Sequence, residues 1–375
     1  MNYTKLGRTG LDVSTIGIGL EHMRGQPRDT VVSTVRQAIE RGVNYFDVIF
    51  AFPDYLDHMQ EAFQGQRDRL LLAAHLGSTD KDGQYYKTRV VRRCEAAFHD
   101  VLRYLDTGHV DVLFLHNFNK PKDWDRALRS GFLDLAVRLR DEGRARTLGI
   151  SGHYHDVLEM AVDSGLVDLV MVPVNLFNHA MPGRNDLLAR CARRGIGVVA
   201  MKPFGGGKLL NRPGSLRVPK YQTGGEAYRA KVPGDVTAVQ CLSYVLAQPG
   251  VSIALAGVTS HDELAAALHT LEASEAERDY GALLAGFDRY VEGACTYCNH
   301  CLPCPVAIDV GQVNRLLDLA AFGLTPALRA AYAALPVGAS ACTECGACTA
   351  RCPFGVDVVP RIRQAVRVFE AGAAA

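Results

Sequence analysis

The chain has 375 residues, 48% of them hydrophobic, and a formal net charge of +1 from 41 basic and 40 acidic side chains. This length and composition allow one large hydrophobic core and a smaller second one, so we expect two domains. The balanced charge gives no electrostatic reason to expect a nucleic acid or an anionic membrane surface as a partner.

The N-terminal residues MNYTKLGRTG lack the apolar segment of a signal peptide, and no stretch reaches the length and hydrophobicity of a membrane span. We therefore expect a cytoplasmic protein that does not associate with a membrane.

Residues 1–270 alternate short β-rich runs with longer amphipathic stretches, which is the pattern of a βα-repeat protein with a parallel sheet. Eight strands alternating with helices over about 250 residues predict a (β/α)8 TIM barrel. An open, doubly wound sheet is the alternative, but no G-x-G-x-x-G turn follows the first strand. The predicted strands are Thr15–Gly19, Val43–Asp47, Arg69–His75, Val110–His116, Thr147–Ser151, Leu169–Asn175, Gly197–Lys202 and Ile253–Gly257. The predicted helices are Asp29–Arg41, Arg89–Leu105, Asp123–Glu142, Tyr154–Ser164, Asp186–Arg194, Val236–Ala247 and His261–Leu271.

Polar residues cluster where these strands end, and in a barrel the carboxyl ends of the strands build the active site. Asp47, His75 and His116 are the most informative, because each ends an apolar strand. Several ionisable groups converging there favour a functional site over a merely hydrated rim. The full set is Glu21, His22, Asp47, His75, His116, Ser151, His153, Asn175, Asn178 and Lys202.

Two later segments interrupt the repeat. The stretch Pro203–Pro233 is too rich in glycine and proline for an ordinary βα connection, and it is either a lid or an insertion without a role in the site. Residues 271–293 are expected to form a helix that leads to the second domain.

Two runs of cysteines dominate the C-terminal part of the chain. The second run reads C-x2-C-x2-C-x3-C-P, the spacing that bacterial ferredoxins use for [4Fe–4S] clusters, and the first is one residue shorter before its last cysteine. Zinc or disulfides are the alternatives, but zinc sites usually pair two C-x2-C units. The runs are Cys295, Cys298, Cys301 and Cys304, then Cys342, Cys345, Cys348 and Cys352.

Three cysteines of one run can reach three corners of a cluster, and in two-cluster proteins the fourth ligand comes from the other run. We therefore expect Cys352 to complete the cluster of the first run and Cys304 to complete that of the second. The apolar stretch Val310–Ala334 between the runs favours an α-helical ferredoxin arrangement. The remaining three cysteines, Cys94, Cys191 and Cys241, are expected to be buried apolar residues.

The sequence resembles the aldo-keto reductases, and in particular the branch with a C-terminal ferredoxin-type domain. YTKLGRTGLDVSTIGIG is similar to that family's N-terminal hairpin and first strand, and GVNYFD, FLHN, LGISGH, AMKPFGGGKL and ALAGVTSHDEL are similar to later strands. The likeness covers essentially the whole chain. We expect a barrel domain over residues 1–271 and a domain with two [4Fe–4S] clusters over residues 272–375.

The resemblance implies hydride transfer from a nicotinamide, with a tyrosine as the proton donor, a lysine and an aspartate that acidify it, and a histidine that orients the substrate. Asp47 and His116 match this set. Phe52 stands at the tyrosine position and His75 at the lysine position, so the usual general acid is missing. His75 could transfer the proton itself. Tyr55 is a second candidate, although we expect it at the surface.

The nucleotide-binding positions implied by the resemblance also differ. Met171 and Val174 replace the glutamine and the stacking tyrosine, whereas Asn175 is retained. Glu263 falls near the position of the basic residue that meets a 2′-phosphate, and it would repel NADP. Backbone amides at the helix after strand eight could still hold a phosphate. The candidate cofactor-binding residues are Ser151, Asn175, Gly257 and Thr259.

Three interpretations follow. The first is an iron–sulfur oxidoreductase whose clusters pass electrons between a ferredoxin- or flavodoxin-type carrier and a small polar substrate. The second is an NAD(P)H-dependent carbonyl reductase or alcohol dehydrogenase with a substitute acid. The third is a redox-neutral lyase or isomerase that uses Asp47, His75 and His116, even as a metal site. Lys202 is either a cation for a substrate oxyanion or carboxylate, or a structural ion-pair partner.

Overall fold

The computed structural model describes residues 1–210, 216–218, 228–230, 235–288, 293, 295–320 and 324–371. The chain divides into two compact units. The barrel unit consists of Met1–Asp80, Lys87–Leu216 and Lys231–Tyr290, and the cysteine unit consists of Lys81–Tyr86, Arg217–Ala230 and Val291–Ala375. The predicted domain boundary between residues 271 and 272 stays a prediction.

The strands of the described residues are β1 (Tyr3–Lys5), β2 (Asp12–Ser14), β3 (Ile16–Gly19), β4 (Tyr45–Val48), β5 (Leu71–Leu76), β6 (Ser78–Lys81), β7 (Gln84–Lys87), β8 (Val110–Phe118), β9 (Ala145–Gly152), β10 (Leu169–Pro173), β11 (Gly197–Met201), β12 (Leu216–Val218), β13 (Tyr228–Ala230) and β14 (Val251–Gly257).

The helices are α1 (Arg28–Glu40), α2 (Pro53–Phe63), α3 (Val91–Tyr104), α4 (Pro121–Arg129), α5 (Phe132–Asp141), α6 (His155–Asp163), α7 (Arg184–Arg194), α8 (Ala238–Leu246), α9 (His261–His269), α10 (Glu275–Arg278), α11 (Gly281–Leu284), α12 (Val310–Ala320), α13 (Pro326–Ala333), α14 (Ala347–Arg351) and α15 (Val358–Ala365). A π-helical turn, Val366–Glu370, continues α15.

Eight parallel strands close into a barrel, in the order β3-β4-β5-β8-β9-β10-β11-β14 and back to β3. Each of the eight predicted strands corresponds to one of them, so the predicted (β/α)8 barrel is confirmed. These strands are apolar on both faces because helices cover the outside and side chains fill the inside. All nine residues of β8, for example, are buried.

The interior of the barrel is a packed core rather than a channel. Tyr45, Phe114 and Met171 belong to one buried cluster, to which the β1–β2 hairpin contributes Leu6 and Val13. The hairpin is fixed beside the start of β11, where the Arg8 backbone N–H donates to the Gly195 carbonyl at 2.7 Å. It therefore closes the end of the barrel at which the strands begin, and the polar residues lie at the end where the strands finish.

Three predicted helices are shorter or divided. The stretch 123–142 forms α4 and α5, separated at Gly131, whose φ of +74° is left-handed and does not continue a helix. The described part of the stretch 271–293 contains the single-turn helices α10 and α11 and a 3-10 turn, Ala285–Phe287. The stretch 310–334 forms α12 and α13, and α13 begins anew because Thr325 caps the Leu328 N–H and Pro326 takes the first helical position.

The glycine- and proline-rich stretch 203–233 lies mostly outside the described residues. Beyond Leu210, the described part is the pair of short strands β12 and β13, and its role as a lid stays a prediction. Within the described part of the chain, no helix combines the length and the hydrophobicity needed to cross a membrane.

Candidate active site and cysteine clusters

Hydrogen bonds join three of the predicted catalytic residues at the carboxyl ends of neighbouring strands. Asp47 lies on β4, His75 on β5 and His116 on β8, and these strands are adjacent in the barrel. His75 Nε2 is 2.8 Å from Asp47 Oδ1, and His75 Nδ1 is 2.9 Å from His116 Nδ1. All three side chains are buried. The structure thus places an imidazole between a carboxylate and a second imidazole.

This geometry limits the tautomers. An ionised carboxylate only accepts hydrogen bonds, so His75 Nε2 carries a hydrogen and donates it to Asp47. When His75 is neutral, its Nδ1 is an acceptor and His116 Nδ1–H is the donor. When His75 is protonated, the direction of that hydrogen bond reverses. A proton can therefore be held on either imidazole beside a fixed negative charge.

The same contacts argue against the metal version of the third interpretation. Both ring nitrogens of His75 are engaged with Asp47 and His116, so neither points a lone pair at a shared metal ion. Across the ranges that the structure describes, no group of three or more His, Cys, Asp or Glu side chains, the cysteine runs included, is arranged to hold a single metal ion.

Phe52 lies just before α2, and Tyr55 lies in its first turn. Phe52 is 2% exposed, and the Arg24 guanidinium carbon lies 3.6 Å from the centre of its ring. The expectation of a surface position for Tyr55 is wrong: Tyr55 is also 2% exposed, because Pro53 starts α2 and the apolar face of that helix turns inward. Burial, followed by the charges of Asp47 and Glu21, raises the pKa of Tyr55 well above its usual value. Tyr55 is therefore a hydrogen-bond donor and a weak acid.

Lys202 follows β11 and lies close to two other ionisable residues. Its Nζ is 3.9 Å from a carboxylate oxygen of Glu21, too far for a hydrogen bond, and its side chain is only 10% exposed. His153 is fully buried, and burial, followed by the charges of Lys202 and Lys87, lowers its pKa well below the usual value. Its Nδ1 is 2.9 Å from Asn119 Oδ1. His153 is thus a neutral imidazole beside cations.

Lys87 is a site residue that sequence reasoning missed. The residue is exposed as a whole, but its ammonium group donates to the Asn117 carbonyl at 3.3 Å. Burial of that group is the largest cause that lowers the pKa of Lys87 to about 8, and the nearby Arg89 is the next. The signal was present in Asp82-Gly83, a dipeptide that favours a two-residue hairpin turn. It would have predicted the β6–β7 hairpin that carries Lys87.

Two predicted cofactor-binding side chains form hydrogen bonds with other residues of the chain. The Ser151 hydroxyl accepts the Asn117 N–H at 2.9 Å. The Asn175 side chain donates to the Lys202 carbonyl at 2.9 Å and accepts the Asn178 N–H at 3.2 Å. Ser151 therefore links β9 to β8 at the carboxyl end of the barrel, and Asn175 links the segments that follow β10 and β11.

The other two, Gly257 and Thr259, lie where the chain passes from β14 to α9. The Glu263 carboxylate accepts the Thr259 N–H at 2.7 Å and the Thr259 hydroxyl at 2.8 Å. A Cβ atom at Gly257 would lie 2.9 Å from His22 Cδ2, so this turn is closely packed. Helix N-termini attract anions, and here the Glu263 carboxylate already accepts the Thr259 N–H in the turn before α9.

In the cysteine unit, one pocket brings together residues of both cysteine runs. Its lining includes Cys304 with Cys342, Cys345 and Cys348. Three thiols of the second run thus face the last thiol of the first run, which is the combination expected for one [4Fe–4S] cluster. Four thiols that line one pocket are a donor set that fits such a cluster.

The electrostatic neighbours of Cys301 and Cys352 come from both cysteine runs. Burial raises the pKa of Cys301, and the further causes begin with Cys298, Cys295 and Cys352. Burial also raises the pKa of Cys352 to about 11, with Cys298 as the next cause. Cys348 is also among the causes for both thiols, so Cys352 and Cys348 of the second run both lie near thiols of the first run. A bound cluster would hold these sulfurs as thiolates.

The remaining cysteines behave as apolar residues. Cys94, Cys191 and Cys241 are buried, and burial raises their pKa values to about 11, 12 and 12. Their thiols are accordingly protonated at neutral pH and unsuited to reaction.

Comparisons with known proteins match the barrel and the cysteine-rich part of the chain to two different family models. The sequence model of the aldo/keto reductase family matches residues 15–283, and that of a 4Fe-4S dicluster domain matches residues 293–356. Among characterised sequences, L-galactose dehydrogenase of Arabidopsis thaliana is 27% identical over 286 residues, covering 68% of this chain and 83% of that protein. The "Uncharacterized oxidoreductase YqkF" of Bacillus subtilis (strain 168) is 25% identical over 281 residues, with 70% and 89% covered.

Solved structures support the fold of the barrel. The holo form of aldo-keto reductase AKR11C1 from Bacillus halodurans superposes with a TM-score of 0.65 at 22% identity, covering 78% of this chain and 98% of that one. A putative aldo-keto reductase from Pseudomonas aeruginosa gives 0.56 at 20% identity, with 72% and 94% covered. The chain therefore belongs to the aldo/keto reductase family of oxidoreductases and carries a C-terminal 4Fe-4S dicluster domain.

Proposed function

We propose that this protein is an oxidoreductase in which two [4Fe–4S] clusters, and not a nicotinamide, exchange electrons with a small polar substrate at the mouth of the barrel. The observation that carries the proposal is the pocket lined by Cys304, Cys342, Cys345 and Cys348. It combines both cysteine runs as two-cluster ferredoxins do. When bound, such clusters supply one-electron transfer. The electrons come from or go to an external carrier of the ferredoxin or flavodoxin type.

The buried relay of Asp47, His75 and His116 supplies the proton chemistry. His116 exchanges a proton with the substrate, His75 accepts it through the 2.9 Å contact between the two Nδ1 atoms, and Asp47 stabilises the protonated imidazole. Tyr55 contributes a hydrogen-bond donor, since its raised pKa keeps the phenol protonated. Phe52, at the position where relatives carry the acid, has no proton to give.

The cations of the site favour substrates with a carboxylate, carbonyl or hydroxyl group. Lys202 is nearly buried, and its only ion-pair partner among the described residues, Glu21, is 3.9 Å away. A substrate oxygen can therefore compete for its ammonium group. Lys87 adds a second positive charge near His153.

Two features of the barrel argue against a tightly bound nicotinamide dinucleotide. The Glu263 carboxylate accepts the N–H and the hydroxyl of Thr259 in the turn before α9. The side chains of Ser151 and Asn175 are hydrogen-bonded to other residues of the chain. A dinucleotide would have to displace these contacts and face the Glu263 carboxylate.

The test is a redox titration of protein purified without oxygen. We expect about eight iron atoms and matching acid-labile sulfide per chain, reduction of the visible absorbance by dithionite, and no reduction or binding with NADH or NADPH. Nucleotide binding is followed through the fluorescence of the single tryptophan, Trp124. The variant Glu263→Lys is the matched control, because freeing the Thr259 N–H should increase NADPH affinity by about tenfold.

Tight NADPH binding by the unmodified protein, together with rapid reduction of simple aldehydes, would establish the nicotinamide-dependent function instead. Conversion of a substrate without any electron acceptor or donor would establish a redox-neutral lyase or isomerase.

A further inference from the structure

The side chain of Gln84 holds both polar groups of the Cys304 backbone. Gln84 Oε1 accepts the Cys304 N–H at 2.8 Å, and Gln84 Nε2 donates to the Cys304 carbonyl at 3.1 Å. The two residues are 220 positions apart in the sequence. The carboxamide thus pairs with Cys304 as the backbone of a neighbouring strand would, and it orients both peptide groups that flank the Cα atom of this cysteine.

The β6–β7 hairpin presents Gln84 in this position. Its turn residues, Asp82 and Gly83, have φ values of +54° and +74°, as a type I′ turn requires, and Gln84 is the next residue. The tip of the hairpin belongs to the cysteine unit. Tyr85 is 1% exposed, and its ring centre lies 5.5 Å from that of His300, which precedes Cys301. Two successive hairpin residues therefore contact the first cysteine run.

We propose that Gln84 is a positioning residue for Cys304 and that it sets the reduction potential of the one cluster that Cys304 helps to hold. The inference rests on the proposed assignment of Cys304 to the cluster of the second run. Groups that hydrogen-bond to metal ligands and orient them contribute to the reduction potential of a metal centre.

The direction in which the reduction potential should change can be derived from the hydrogen bonds of Gln84. Hydrogen bonds to the sulfurs and solvent exposure both tune the reduction potential of an iron–sulfur cluster, because they stabilise the added negative charge of the reduced form. Gln84 Oε1 occupies the Cys304 N–H, so this amide is not available to a sulfur atom or to water near it. Removing the carboxamide releases the amide, and the potential should become more positive.

The effect should be confined to one cluster. The backbone carbonyls of Cys301 and Pro303 accept hydrogen bonds from Arg351. Loss of Gln84 therefore leaves the contacts of Arg351 to the Cys301 end of the run unchanged.

The experiment is a redox titration followed by electron paramagnetic resonance on the complete holoprotein, kept free of oxygen. Gln84→Met removes both hydrogen bonds with little change in volume, and Gln84→Glu keeps the acceptor but adds a negative charge. Gln312→Leu, at a half-buried glutamine of the cysteine unit outside the lining of the Cys304 pocket, is the control. Cys304→Ser identifies which redox transition belongs to the cluster in question.

We expect two transitions in the unmodified protein. Gln84→Met should move the transition altered by Cys304→Ser to a more positive potential, Gln84→Glu should move it to a more negative one, and Gln312→Leu should move neither. Selective loss of that cluster in Gln84→Met would also support a positioning role. Wild-type potentials in both fully loaded Gln84 variants, or an equal shift of both transitions, would overturn the inference. Unmodified protein that binds fewer than two clusters would overturn the cluster assignment, and this inference with it.

Discussion

The pair formed by Asp47 and His75 determines what the barrel site can do. In the family set that the sequence resembles, an aspartate pairs with a lysine, which only donates hydrogen bonds. Here the aspartate pairs with an imidazole, which can donate at one nitrogen and accept at the other. The second nitrogen reaches His116 at 2.9 Å. Histidine in place of that lysine thus gives the proposed path for a proton between the Asp47 pair and His116. Phe52 lacks the phenol that would otherwise supply the proton.

Asp47→Asn should therefore impair turnover more than substrate binding. An asparagine can still accept from His75 Nε2, but it does not stabilise the protonated imidazole, so kcat should fall by about 10²- to 10⁴-fold with a small change in KM. The assay couples a panel of small hydroxy, oxo and carboxylic compounds to a viologen dye. Asp12→Asn, at an exposed salt bridge with Lys5, is the control. Unchanged kcat in Asp47→Asn would contradict the proton relay.

His153 should make the stability of the barrel depend on pH. Its pKa in the folded state is lowered well below the usual value by burial, then by Lys202 and Lys87, so the unfolded chain binds the proton more readily. The stabilising effect is complete above a pH of about 6.5 and is lost as the pH falls below it. Between pH 7.5 and 5.5 this amounts to about 1.4 kcal/mol in the free energy of unfolding.

His153→Gln should remove this part of the pH dependence, as measured by urea unfolding with Trp124 fluorescence at both pH values. His99→Gln, at an exposed position of α3, should keep the wild-type dependence. The prediction is wrong if the two variants respond to pH in the same way.

At the scale of elements, the side chain of Arg361 joins two helices of the cysteine unit, α12 and α15. Arg361 on α15 is 4% exposed and donates to Asp318 on α12 at 2.8 Å and to the side chain of Asn314 on the same helix. Asn314 is fully buried. A buried charge of this kind is stable only while its partners are in place. The contact therefore fixes the helix between the two cysteine runs against the helix that follows the second run.

Arg361→Met should destabilise the cysteine unit by about 1.5–3 kcal/mol, because it removes the guanidinium group from the fully buried Asn314 side chain and from the half-buried Asp318 carboxylate. Iron release during urea denaturation, followed in the visible spectrum, should begin at a lower urea concentration. Arg363→Met is the matched control two residues along α15: its partner Glu344 and Arg363 itself are exposed, so its profile should stay close to the wild type. Equal behaviour of both variants would show that the Arg361 contacts do not matter.

At the scale of the whole molecule, two folded units with separate cores carry two kinds of chemistry. The barrel unit supplies ionisable groups at the carboxyl ends of its strands, and the cysteine unit supplies the eight thiols of the two cysteine runs. Metal binding contributes to folding where the ligands come from separate segments. The barrel has its own packed core, so its fold should not depend on iron.

Exchange of the fourth ligand is the test of how the two runs are combined. Cys304→Ser should perturb the cluster held by Cys342, Cys345 and Cys348, and Cys352→Ser should perturb the other cluster. Electron paramagnetic resonance of the reduced variants should show a different altered signal in each case. Removal of all iron with a chelator should abolish both signals while the barrel keeps its far-ultraviolet circular dichroism. If Cys304→Ser instead disturbed the cluster of its own run, the proposed pairing would be wrong.

Much of this protein could be predicted from its sequence, because the relevant patterns are local. Alternating apolar runs and amphipathic stretches predict the barrel strands, and the spacing of the cysteines predicts the cluster domain. The polar residues that end β4, β5 and β8 follow from the same strand assignment. In each case the information lies within a few residues along the chain, where the period of the structure determines the period of the sequence.

Only the tertiary structure decided which distant groups meet. The burial of Tyr55, the approach of Lys87 to Asn117, the contact of Glu263 with Thr259 and the reciprocal bonds of Gln84 with Cys304 depend on how loops and helix ends pack after the strands are in place. Side-chain hydrogen bonds between segments leave no periodic signal, since each needs only one residue on either side. These contacts of the site therefore could not be predicted from the sequence.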